Sequence, residues 1–123
     1  MTLPQDFDLQ TRPLEVAGWN RRSLIALDEI VRSVARAFDF EFSELKGRWI
    51  GHEAARVRGF IFALAYDLFD VPTRRLSDRF DLTPGGVRAS IRRARFVLST
   101  EPRQRRRLQS CVEELEIGWM PRH

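Results

Sequence analysis

The sequence predicts an all-α domain, a small bundle of five to six helices containing a helix-turn-helix. Three observations predict it. Apolar residues recur at helical spacing in successive segments, as in Leu24, Leu27, Val31, Val34 and Phe38 and again in Val57, Phe60, Ile61, Leu64 and Leu68. Clusters of proline with Asp, Thr or Ser punctuate the chain near residues 70–73, 81–84 and 100–102, where helices stop or start. Residues 70–98, DVPTRRLSDRFDLTPGGVRASIRRARFVL, read as a short helix, a tight turn and a second helix faced with arginines.

Taken in order, residues 1–19 form a flexible N-terminal segment, because they lack periodicity and Pro4 and Pro13 oppose helix. The domain spans 20–117, and 118–123 is a tail. A first helix runs from about Arg22 to Phe38. Phe40 and Phe42 then flank Glu41, and Ser43 caps a short turn containing Leu45. Residues 46–58, KGRWIGHEAARVR, form a polar, basic loop before the helix of Val57, Phe60, Ile61, Leu64 and Leu68. Asp70, Pro72 and Thr73 break that helix and open the one carrying Leu76 and Phe80. Thr83 is a good N-cap, and Pro84 at the first helical position loses no hydrogen bond. From there Val87, Ile91, Ala94 and Leu98 make an apolar face, with Arg88, Arg92 and Arg95 on the other. Thr100, Glu101 and Pro102 start a last helix whose Leu108, Val112 and Leu115 pack back onto the domain.

At 123 residues and 43% hydrophobic the chain can build one modest core. Its net charge of +4 is unevenly spread. Residues 46–95 hold eleven Lys and Arg against five acids, residues 1–45 five against eight, and residues 96–123 five against four. Excess positive charge therefore sits with the helix-turn-helix, as a phosphate-binding face requires. Lys46 is the single lysine, so a general preference for arginine explains the residue type but not its location.

Other classes are excluded in turn. Cys111, the one cysteine, cannot form an internal disulfide, and no signal-peptide pattern opens the chain, which implies a reducing cytoplasm, with nucleoid association expected if the chain binds DNA. The stretch GFIFALAYDLF at 59–69 is about half a membrane span and contains Asp67, so no membrane partner is expected. With His52 and His123 as the only histidines there is no metal constellation. The Gly85–Gly86 pair precedes no lysine, so no phosphate loop, no small-molecule cofactor and no enzyme activity are expected.

Several segments resemble the C-terminal DNA-binding domain of DnaA, the bacterial replication initiator, over about Leu27 to Leu115. ARVRGFIFALAYDL (55–68) is similar to that family's ARPRQ-type segment and the apolar helix after it. FEFSELKGR (40–48) resembles its short turn, and RRLSDRF (74–80) sits where its first helix-turn-helix helix lies. The resemblance implies that the second helix enters the major groove and that a minor-groove arginine falls on Arg58, with Arg56 beside it. The family's GGRDHTTV is replaced by DLTPGGV (81–87), with a one-residue deletion by helical phase, and its paired basic loop residues are Trp49 and Ile50. Base readout then falls to Thr83, Arg88 or Ser90, and recognition of the initiator's own box is not expected. The chain reads as a stand-alone relative lacking the ATPase. The promoter-reading region of sigma factors has a similar second helix, which residues 85–95 partly fit.

Double-stranded DNA is the expected partner. Arg88, Arg92 and Arg95 are expected on phosphate, while Arg74, Arg75 and Arg79 fit backbone contact and a solvated face equally. Gly85 and Gly86 weaken a helix start by roughly 1 kcal/mol each; they either admit a phosphate close to the backbone or mark a frayed turn. Trp49 is either a lid on the core or, with Ile50, an exposed patch for a protein partner. The RQRRR run at 103–107 reads as a solvated helix face, and QDFDL at 5–9 resembles the short glutamine-led peptides that bind the sliding clamp. Two functions follow: a DNA-binding regulator of replication initiation or transcription, and a protein-interaction regulator of replication initiation that has lost specific base reading and contacts the initiator, its AAA+ relatives or the clamp.

Overall fold

The computed structural model describes the backbone of residues 27–119 and the side chains of 27–115. Among these residues it is all-helical. Helix α1 spans Leu27–Ala37, a 3-10 turn spans Phe42–Glu44, α2 spans His52–Phe69, α3 spans Thr73–Phe80, α4 spans Pro84–Thr100 and α5 spans Pro102–Trp119. The lead-in at 1–19, the start of the first helix near Arg22, the QDFDL segment and the end of the tail lie outside the described residues.

Aspartates end three of these elements. Asp39, Asp70 and Asp81 adopt left-handed backbone at φ 65°, 61° and 59°, a conformation that Asp tolerates better than most side chains. Asp70 caps α2 through its N–H to the Ala65 carbonyl, and Asp81 caps α3 through its N–H to Ser77. Within α1, Asp28 and Glu29 in the first turn and Arg36 in the last complement the helix dipole.

Helix α2 is the axis of the domain. Phe60 to Ala65 are fully buried without interruption, so the apolar run faces protein on every side rather than along one stripe. Its largest contact is with α4, where Gly59 lets the backbones approach closely. Helix α1 packs on α2 and α5, and α3 packs on α4. Phe62 and Phe42 both meet Phe80 edge-on, at 5.0 and 5.1 Å between centroids, which seats α3 on the core.

Four expectations need correction. The basic loop is half as long as its composition suggests: Gly51 caps α2, which begins at His52, so Arg56 and Arg58 are helical residues. Ala54 and Val57 are buried on the same face as Ile61, and that burial draws the segment into the helix. Ser43 lies inside the 3-10 turn, which is capped by Glu41, whose N–H donates to Glu44 Oε1 at 2.8 Å. Thr100 closes α4, its hydroxyl donating to the Phe96 carbonyl, so Glu101 alone joins α4 to α5. Within 103–107, Arg105 turns back to donate to the Leu98 carbonyl at 3.1 Å, and Arg107 lies over the Phe38 ring.

Candidate nucleic-acid interface

Two helices and a three-residue turn build the candidate site. Leu82 tucks its side chain against the core and donates its N–H to Ser77. Thr83 then accepts from the Gly86 N–H at 3.0 Å and Pro84 starts α4, as the sequence predicts. Val87, Ile91, Ala94 and Leu98 are buried, fixing the rotation of α4. The opposite face carries Gly85, Arg88, Arg92 and Phe96, all exposed, in one stripe along the helix. No carboxylate among the described residues pairs with Arg88 or Arg92. Space beside Gly85 is open, whereas a Cβ on Gly86 would meet the Thr83 hydroxyl at 3.2 Å.

Arg95 leaves this stripe. It turns inward and forms a bidentate pair with Asp67 of α2, whose carboxylate is almost fully buried. Phe96, 54% exposed, takes its place at the end of the arginine face.

Helix α3 divides its arginines. Arg74 and Arg75 are exposed, beside the start of the helix. Arg79 is committed to the fold: it bonds Asp28 at 3.0 and 3.1 Å and lies over the Phe42 ring at 4.2 Å.

The arginines expected in the minor groove are held elsewhere. Arg58 is buried, 7% exposed, and donates to the backbone carbonyls of Leu45, at 3.1 Å, and Gly47. Burial, then the charge of Arg93, pushes its pKa below the usual arginine value. Its place inside α2 turns the side chain under the preceding loop, where the carbonyls of a chain reversal need a donor. Arg56 reaches Glu101 with both terminal nitrogens at 3.4 Å. Ser90 is also corrected: it is 7% exposed on the face of α4 toward Gly59, so it cannot read a base edge.

The loop at 46–51 lies against the turn between α3 and α4. Gly47 donates its N–H to the Phe80 carbonyl at 3.0 Å, and Lys46 pairs with Asp81 at 3.6 Å. Gly47 itself sits at φ 89°, a conformation that favours glycine. From this tethered loop Trp49 projects with 90% of its surface exposed and the Arg48 guanidinium 5.7 Å from its ring. The lid reading is thereby excluded in favour of the exposed one.

Arg93 and His52 carry chemistry that sequence spacing misses. Arg93 falls one position off the 88/92 repeat, and His52 starts a helix where composition suggests a loop; the fold sets both along a cleft between α2 and α4. Among the described residues no helix is long and apolar enough to cross a membrane, and no three His, Cys, Asp or Glu side chains converge as metal ligands would. A scan against family models, a search of curated proteins and a search of solved structures all return no match for this chain.

Proposed function

We propose that this domain binds double-stranded DNA by laying α4 in the major groove, as a regulator of replication initiation or transcription related to the DNA-binding domain of DnaA. The single observation that carries the reading is the exposed stripe of Arg88 and Arg92, without an acid partner among the described residues, on a helix whose other face is locked in the core. Two always-charged, forked donors on one open helix face suit phosphates and guanine edges. Thr83 and the open backbone at Gly85 lie at the leading end of α4, where helix amides and the dipole favour anions. Arg74 and Arg75 extend the same positive surface onto α3. With Ser90 buried, side-chain readout narrows to Thr83 and Arg88, and a large share of affinity comes from the backbone.

The test is fluorescence anisotropy of the full chain with the initiator's box, a scrambled duplex and a random pool across a salt series. Binding that weakens steeply with salt and is lost in Arg88→Ala and Arg92→Ala supports duplex recognition. Absence of binding near physiological salt sinks it.

The exposure of Trp49 favours a second reading, a protein partner drawn from replication-initiation proteins. Capture of such a partner that survives Arg88→Ala but fails with Trp49→Ala supports it; equal capture by both variants counts against it.

A further inference from the structure

We propose that the cleft between α2 and α4 is a binding site for a phosphate group, held by His52, Arg56 and Arg93. The cleft has a volume of about 170 Å3. At about 30 Å3 per water that is room for five or six waters, the size of one tetrahedral oxyanion with a water or two, and below the range of drug-sized ligands. Its floor is closed by Gly59 and Ala94. A Cβ at Gly59 would stand 3.3 Å from the Ser90 carbonyl and 3.4 Å from the Ala94 Cβ, so the two walls are fixed by direct backbone approach.

The charge inside the cleft is of one sign. Two guanidinium groups and an imidazole line it, and among the described residues no carboxylate does. Arg93 finds no acid partner among the described residues; its one bond there is to Ser90 Oγ at 3.5 Å. Glu101 reaches Arg56 from outside the cleft, at 3.4 Å to each nitrogen, longer than the 2.7–2.9 Å of a tight charge-assisted bond. A bound oxyanion would share Arg56 with Glu101, and Arg93 is the guanidinium of the cleft with no acid partner among the described residues. Two forked guanidinium groups beside a hydroxyl and an imidazole suit the several acceptor oxygens of phosphate better than a carboxylate's two.

This site is separate from the Arg88/Arg92 stripe and does not require α4 to enter a groove. The phosphate can come from a nucleic-acid backbone or from a free phosphate group; the recognition chemistry is the same.

The experiment is a 1H–15N NMR titration of the full chain with sodium phosphate at constant ionic strength, with sodium chloride as the reference. Expected are saturable shifts at His52, Arg56 and Arg93 with phosphate alone, an apparent affinity at least about five-fold weaker in Arg93→Ala, and unchanged affinity in the exposed Arg103→Ala. Arg93 and His52 are both exposed, so His52→Ala supplies a second variant that keeps the fold. Shifts that rise without saturation, equal responses to chloride and phosphate, or wild-type affinity in Arg93→Ala and His52→Ala overturn the proposal. Repeating the titration on a preformed duplex complex separates the sources: competition identifies a backbone phosphate, and undiminished binding identifies a free one, either outcome upholding the site. A chain that binds phosphate but no duplex upholds the cleft while removing the duplex reading.

Discussion

Arg58 and Gly47 form one structural unit: the buried guanidinium of α2 donates to the Gly47 carbonyl, and also to that of Leu45, so the chain reversal before α2 is held from below. Arg58→Ala leaves both carbonyls without this donor and is expected to lower the unfolding free energy by about 2–3 kcal/mol. Arg58→Lys, a single point donor, recovers only part of that. Urea unfolding followed by circular dichroism measures it, and unchanged midpoints in both variants would show the unit to be dispensable. At temperatures where it is folded, Arg58→Ala should bind DNA better than Arg88→Ala does, the reverse of what a minor-groove arginine would give.

Gly59 is expected to resist enlargement. A valine there would push branched carbons against the Ser90 carbonyl and Ala94, atoms that already lie at 3.3 and 3.4 Å from a single Cβ. Overpacking of this kind costs about 1–3 kcal/mol. Thermal melts of Gly59→Val give the number; a variant as stable as the parent would mean that α2 and α4 can slide apart.

Arg88→Ala and Arg92→Ala are expected to leave stability within about 0.5 kcal/mol, since both side chains are exposed and unpaired with acids among the described residues. Each should lower the slope of log affinity against log salt by about one phosphate. Loss of stability in either variant would tie its binding defect to misfolding instead of to the interface.

Trp49→Ala is likewise expected to change stability by no more than about 0.5 kcal/mol, because the indole buries almost nothing. The difference between wild-type and Trp49→Phe emission spectra should be that of a water-exposed indole, readily quenched by acrylamide. A blue-shifted, protected difference spectrum would mean that the loop folds over its tryptophan.

Cys111 is buried against α1, its thiol facing the Ser33 carbonyl at 3.9 Å, and burial pushes its pKa above the ordinary thiol value. The native state thus holds the thiol proton more tightly than the unfolded chain. Its contribution to stability is complete below the unfolded thiol pKa of about 8.5 and declines as pH rises through the native value. Modification by a thiol reagent at pH 8 should be slow in buffer and fast in denaturant, and equal rates would place the thiol at the surface.

The helices were largely legible because their apolar spacing is strong: Val87, Ile91, Ala94 and Leu98, or Phe60, Ile61, Leu64 and Leu68, are buried as periodicity requires. Thr83 and Pro84 were legible because capping is a local matter. Arginine roles were not, because an arginine's partner is set by tertiary distance. Arg79 meets Asp28 across 51 positions, and Arg56 meets Glu101 across 45. Arg95 shares a helical repeat with Arg92, and only the nearness of Asp67 separates their fates. The start of α2 was misread for a related reason: HEAARVR is polar in composition, while burial of Ala54, Val57 and Arg58 depends on what packs over it.

The contact between α1 and α5 also bears on the order in which the chain assembles. Helices α3 and α4 are three residues apart and can meet early at small loop-closure cost. Ser33 and Cys111, by contrast, are 78 positions apart, so the helix that opens the described residues cannot find its partner until α5 has been synthesised. A nascent chain stalled before α5 would expose one flank of α1 to solvent and to the ribosome's chaperones. Emergence of the eighteen-residue α5 is therefore the event that seals the domain.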